Sequence, residues 1–341
     1  YKQKELELAQ NKNFLFLQKQ LLNEVRVNII RKNQRILKWG ISILGVLLAL
    51  FIFLLFFGYR QRRKIQMQNV NLSRKNDEIE RQKNIIQEKN KEIIDSINYA
   101  LKIQTALLPT ETELKTKLGD VFVFYQPKDI VSGDFYWCFE NERYKFYATA
   151  DCTGHGVPGG FMSMMGISLL NEIVKEKKLE EPCDILDLLS AKIVSELKQT
   201  DASHVNKDGI DITLCRISQD KKQLCVASAF NNLWLLRNNQ IIEIKADRHS
   251  VGYNYGAFRQ FTQHTLSLQK KDRIYTFSDG YPDQFGGDKK KKFKNRNLQN
   301  LLLAIYNLPA IEQKRLVKLT FDNWKGTEEQ VDDVLLMGLL L

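Results

Sequence analysis

Residues 41–57, ISILGVLLALFIFLLFF, hold no charged side chain, and this run limits every architecture open to the chain. With Trp39 and Tyr59 as flanking aromatics the stretch reaches about 20 residues, or about 30 Å as a helix, enough to cross a bilayer core. A signal-peptide core is the competing reading. Signal peptides are N-terminal, however, and about 40 mostly polar residues precede this run. A single transmembrane helix is therefore expected over 39–59. Arg26, Arg31, Lys32, Arg35 and Lys38 lie before it and Arg60, Arg62, Arg63 and Lys64 after it, where they meet anionic lipid headgroups. Because basic residues lie on both sides, the positive-inside rule does not fix the orientation.

Those residues also account for much of the formal charge of +11. A second basic run, Lys289 to Lys292 with Lys294 and Arg296, sits after a Gly-Gly pair and reads as a solvated loop. No zinc-finger or RNA-recognition signature accompanies either run, so nucleic-acid binding is not expected. The five cysteines (Cys138, Cys152, Cys183, Cys215 and Cys225) form no CxxC pair, which supports neither a disulfide framework nor a zinc site and suits a reducing compartment. The sequence opens on Tyr1 rather than Met, so an input domain upstream is expected.

Residues 1–38 are rich in Lys, Gln, Asn and Glu with scattered Leu and read as a polar helical segment, the end of such an input domain. After the span, over 60–105, Ile65, Leu72, Ile79, Ile86, Ile93 and Ala100 recur every seven residues. With these as d positions, the a positions are Asn69, Asn76, Lys83, Asn90 and Ile97. Polar a residues weaken a coiled coil but favour a paired register, so the expectation is a marginal two-stranded coil, a homodimer through residues 65–100.

Residues 106–341 alternate strand-like runs with amphipathic helices. The strand-like runs are 121–127, 144–150, 211–217, 223–229, 233–237, 240–245, 273–278 and 334–341; helical periodicity marks 159–178, 183–199, 297–307 and 310–324. Short turns such as Asn238-Asn239 favour antiparallel pairing and a layered α+β domain rather than a doubly wound sheet. Acids fall at the strand ends: Asp151 ends YKFYATA, Asp279 ends RIYTFS, Asp332-Asp333 precede VLLMGLLL, and Asp134 lies in the tight VSGDFYW segment. If those strands share one sheet, the carboxylates meet. Clustered carboxylates repel unless cations neutralise them, and hard oxygen donors select Mg²⁺ or Mn²⁺. Asp211 is open to two readings, a site residue or a strand-start turn. A serine hydrolase is disfavoured, since GxSxG is absent.

PKDIVSGDFYW (127–137), ADCTGHGVPGGFMS (150–163), FSDGYPDQFGG (277–287) and QVDDVLLMG (330–338) resemble the successive motifs of SpoIIE-type phosphatases, the bacterial branch of the 2C-type metal-dependent protein phosphatases. INYALKIQTALLP (97–109) resembles the helix and Leu-Pro turn that leads into that domain. The resemblance covers roughly 95–341. It implies an αββα four-layer sandwich following the transmembrane and coiled-coil helices, with the site at one edge of the sandwich. Asp134, Asp151 and Asp279 match the family's metal-binding aspartates, with the backbone carbonyl of Cys152 as a further ligand. Asp332 matches the last aspartate, and Asp333 is the alternative.

The activity so implied is hydrolysis of phosphoserine or phosphothreonine on a partner protein. Two Mn²⁺ or Mg²⁺ ions would share and acidify one water, which attacks phosphorus in line. Gly154, His155 and Gly156 are candidates for phosphate contact, with His155 a candidate proton donor to the leaving oxygen. An anti-sigma-factor antagonist is the substrate suggested by family analogy. A cytosolic phosphatase domain on a single-pass protein of the bacterial inner membrane follows. The rival readings are a catalytically silent binding module of the same fold and a membrane signalling scaffold.

Overall fold

The computed structural model describes residues 1–199, 207–253 and 259–341. The chain divides into two compact units, Tyr1–Lys89 and Asn90–Leu341. The first unit is helical from Lys2 onward. It belongs to α1 (Lys2–Leu107), a segment with no proline before Pro109 and with apolar side chains exposed from Ile41 to Phe57. That part of the helix is long and apolar enough to cross a membrane.

In the second unit, α1 gives way at Pro109 to α2 (Glu111–Leu118). A capping box starts α2: Thr110 Oγ1 accepts the Glu113 N–H at 3.2 Å and the Glu113 carboxylate accepts the Thr110 N–H at 2.8 Å. Such a cap is worth about 1 kcal/mol and explains why eight residues suffice for a helix here. Strands β1 (Asp120–Gln126), β2 (Phe135–Glu140) and β3 (Tyr144–Cys152) lead to α3 (Gly156–Asn171), which continues as a π-helical turn over Glu172–Glu176, and α4 (Pro182–Glu196). Next come β4 (Gly209–Ser218), β5 (Gln223–Ser228), β6 (Leu233–Arg237), β7 (Gln240–Ile244), β8 (Val251–Gly252), β9 (His264–Ser267) and β10 (Arg273–Phe277). The chain ends with α5 (Gly280–Asp283), β11 (Phe285–Gly286), β12 (Lys291–Lys292), α6 (Asn295–Ile305), α7 (Ala310–Lys325) and β13 (Val334–Leu340).

All the main strand pairs are antiparallel. One sheet runs β1-β13-β10-β6-β7; the other runs β2-β3-β4-β5-β9, with β8 on the flank of β4. Burial on both faces explains why several strands are apolar without alternation. In β13, Leu335, Met337 and Leu339 enter the apolar cluster shared by the two sheets, while Val334, Leu336 and Leu340 join Val317 and Phe321 of α7. The second sheet behaves likewise: Cys215 and Ile217 of β4 join the shared cluster, and Ile210, Ile212 and Leu214 pack with Ile167 of α3 and Leu189 of α4. α3 is apolar enough to pass for a membrane span, but its buried residues assign it to this core.

Three sequence expectations need amendment. The acid-bearing strands do not share one sheet: β3 belongs to one, β10 and β13 to the other. FYWCFE, read within a tight segment, is β2, whose Trp137 indole is buried and donates to Asn171 Oδ1 at 2.9 Å. The lysine run at 289–292 contributes a two-residue strand, β12, although its side chains are exposed as expected of a solvated loop.

Candidate active site

The ends of the two sheets bring the acids together. β3 pairs with β4 so that Asp151 faces Asp211, and β3 touches β10 and β13 across the sheets. Asp279 leaves the end of β10; Asp332 and Asp333 enter β13; Asp134 enters β2. Mutual repulsion is felt by several of these carboxyls. Asp151 is pushed well above the ordinary carboxylate range by burial, then by the charges of Asp134, Asp279, Asp332 and Asp211. Asp134 is likewise pushed well up, by burial first and by Asp333, Asp332 and Asp279, against a hydrogen bond from Ser278. Asp279 rises through desolvation and then the charges of Asp283 and Asp332. Asp211 rises to about 6, through burial that outweighs its bond from Ser250 Oγ.

These acids do not form a ready-made coordination sphere: among the described residues no three Asp, Glu, His or Cys side chains are drawn together tightly enough for one. The test of fit is Asp134. Its residue is 1% exposed; Oδ2 accepts from Ser278 Oγ at 2.6 Å, while Oδ1 is buried and has no partner. A buried carboxylate oxygen left unpaired costs several kcal/mol unless a proton or cation meets it. The charges acting on it are those of Asp333, Asp332 and Asp279, and carboxylate oxygens are the donors that hard divalent cations favour. The residues present fit such ions.

Asp333 has another task. Its Oδ1 accepts the Lys128 N–H at 2.7 Å and its Oδ2 the Gly133 N–H at 2.7 Å, so both oxygens hold the 128–133 loop. Asp332 is half-buried, and its Oδ1 accepts the Asp333 N–H at 2.8 Å. Three glycines let these loops close. A Cβ on Gly280 would overlap the Asp333 carbonyl oxygen, and one on Gly159 would overlap the Gly154 carbonyl oxygen. Gly133 likewise lies against the Cys152 carbonyl, where an added Cβ would come within 3.2 Å of the oxygen.

His155 precedes α3 with an extended backbone and makes no side-chain cap. Its Nδ1 lies 2.6 Å from Asp129 Oδ2 and its Nε2 3.0 Å from Lys128 Nζ. Lysine donates only, so Nε2 accepts and Nδ1–H donates to Asp129. Asp129 lies within the PKDIVSGDFYW segment, but the sequence assigns it no role, since it is far from His155 along the chain. His249 stacks on Phe261 with ring centroids 4.3 Å apart, away from any metal role, and all five cysteines are free. Beside Asp279 and Asp211 opens a cavity of about 420 Å³, lined also by Phe230, Trp234, Arg248 and Lys294.

A protein-family model described as Stage II sporulation protein E (SpoIIE) matches residues 141–339, more than half of the chain. A comparison with curated proteins gives no match. Among solved structures, the SiaA-PP2C domain of Pseudomonas aeruginosa is 27% identical with a TM-score of 0.67, over 74% of this chain and 98% of that one. The PP2C phosphatase domain and regulatory fragment of SpoIIE from Bacillus subtilis is 16% identical with a TM-score of 0.52, over 65% of this chain and 63% of that one. The RsbU and RsbW domains of a Mycobacterium tuberculosis protein are 15% identical with a TM-score of 0.51, over 64% and 58%. The last two share the fold. Fold and family match agree: the chain belongs to the SpoIIE family and is a metal-dependent, PP2C-type serine/threonine protein phosphatase of bacterial signalling.

Proposed function

We propose that Asp134, Asp151, Asp279 and Asp332, with the Cys152 carbonyl, hold two divalent cations, Mn²⁺ or Mg²⁺, at one end of an αββα sandwich. The unpartnered Asp134 Oδ1, buried among like charges, is the observation that carries this reading. When bound, such cations supply an acidified water and neutralise charge on the phosphoryl oxygens. Asp332 is preferred to Asp333 because both oxygens of Asp333 are committed to backbone N–H groups. Gly154 and Gly156 let the backbone approach the phosphate, at the positive end of the 16-residue α3.

His155, once its Nε2 has taken up a proton from solvent, gives that proton to the departing serine or threonine oxygen. Asp129 fixes the ring through Nδ1 and leaves Nε2, now facing Lys128, as the exchanging atom. The full chain in nanodiscs with Mn²⁺ is expected to hydrolyse a phosphoserine peptide; no metal-dependent hydrolysis would overturn the reading. His155→Gln is expected to lower kcat on that peptide by about 10²–10⁴, the usual range of general acid catalysis. Its activity on p-nitrophenyl phosphate, whose leaving group needs no proton, is expected to change little. An equal loss on both substrates rejects the proton-donor role.

The remaining segments complete the proposal. Residues 39–59 span the inner membrane against lipid and the phosphatase domain faces the cytosol, where ATP-dependent kinases supply its phosphorylated substrate. That substrate is a regulatory phosphoprotein, with an anti-sigma-factor antagonist the class favoured. Residues 60–105 link the membrane to a catalytic domain over 106–341, and residues 1–38 form a polar helical segment before the span. Dimerisation runs through 65–100: Ile65, Leu72, Ile79, Ile86 and Ile93 are all more than half exposed in a single chain, an apolar row that a second copy covers. Cysteines placed one at a time from Ile65 to Ile86 are expected to crosslink with a period of about 3.5 residues. Uniformly absent crosslinking excludes the coil.

A further inference from the structure

Among the described residues of α1, one side chain is buried, and it is polar: Gln104. Burying an amide is costly unless its donors and acceptor are met, and here they are. Nε2 donates to the Ser132 carbonyl at 2.7 Å and to Ser163 Oγ at 2.8 Å, and Oε1 accepts the Ser132 N–H at 3.2 Å. Ser132 passes the connection on, since its Oγ accepts the Asp134 N–H at 3.1 Å. Ser163, on α3, bonds the same Ser132 carbonyl at 3.2 Å. Three elements far apart in sequence, the end of α1, the 128–134 loop and α3, are therefore joined at one amide. Packing alone asks for an aliphatic residue at this place; only a group that both donates and accepts can clamp Ser132 on both sides of its peptide.

We propose that Gln104 is a positioning residue: it fixes the Ser132–Asp134 backbone so that Asp134 is presented to the divalent cations, and it makes the end of α1 part of the site's framework. The proposal rests on the reading of Asp134 as a cation ligand. Any displacement of that helix end breaks a bidentate clamp on the loop and shifts Asp134, two residues away.

The test compares the full chain in nanodiscs with Gln104→Met, which keeps length and apolar bulk, and with Lys102→Met, an exposed change on the same helix, as control. Amide hydrogen exchange at residues 132–134 is expected to quicken about tenfold or more in Gln104→Met without added metal. Mn²⁺ affinity by calorimetry is expected to fall about tenfold, as for loss of an outer partner of a metal ligand, while kcat at saturating Mn²⁺ largely recovers. Unchanged exchange and unchanged Mn²⁺ affinity overturn the proposal. A lowered Tm with unaltered affinity reduces Gln104 to a packing residue and overturns it equally. Should Gln104→Met fail to fold, Ser163→Ala removes one of the two acceptors and must move both readouts in the same direction by less. Asp134→Asn separates the premise: if it binds Mn²⁺ as the parent does, the ligand assignment fails, and the exchange data alone then judge the clamp.

Discussion

Asp151→Asn and Asp279→Asn are each expected to abolish phosphatase activity, while the metal-free protein stays folded and becomes more stable. The two effects have one cause. Asp151 is raised well above the usual carboxylate range by burial and by four neighbouring acids, so its charge is unfavourable until a cation arrives. Asparagine keeps the shape and removes the charge. The loss of activity is expected to exceed the roughly 10–100-fold typical when an outer partner of a metal ligand is lost, and is read with saturating Mn²⁺ on a phosphoserine peptide. Denaturant melts in chelator supply the second half. Full activity in both variants refutes the assignment; a folded parent with unfolded variants shows that the two acids hold structure instead.

The metal-free protein is also expected to gain stability on mild acidification, the reverse of ordinary acid unfolding. A carboxyl whose folded pKa lies above its unfolded value binds its proton more tightly when folded, so its destabilising effect is absent below the unfolded pKa and complete above the folded one. At Asp211 the rise from 3.8 to about 6 corresponds to about 3 kcal/mol, lost as pH climbs through that window. Asp134, Asp151 and Asp279 shift in the same direction. Melts in chelator at pH 7.5, 6 and 5 are expected to show the midpoint increasing as pH falls. Saturating Mn²⁺ takes the place of the protons and flattens the trend, and Asp211→Asn reduces it. A metal-free midpoint that falls steadily from pH 7.5 to 5 contradicts the picture.

Most of the main strands were legible because each is rich in apolar and β-branched or aromatic residues, and β13 is apolar throughout because both faces are covered. β2 was hidden behind the loop that carries Asp134, and β9, an edge strand of sequence HTLS, offers no apolar pattern. The capping box before α2 was present as Thr110 and Glu113, but eight residues give too few turns for a periodic signal. At the site, the acids could be named from their places at strand ends. Their meeting could not, because it depends on strand order: Asp211 lies opposite Asp151 only because β4 pairs beside β3 in that register. Nor can adjacency distinguish Asp332 from Asp333; the distinction comes from two backbone N–H groups of a loop about 200 residues earlier. Gln104 left no trace in a helix already rich in glutamine and lysine.

The acids are contributed from two separate sheets, with Asp134 and Asp151 on one and Asp279 and Asp332 on the other. What separates the halves is the oily filling between them, including Tyr147, Val226 and Met337. That filling therefore sets the gap between the two halves of the acidic site: under the proposed cation reading, thinning or thickening it alters the distance that bound cations would have to bridge. Catalytic tuning in such a molecule lies as much in the girth of side chains that never see substrate as in the carboxylates themselves.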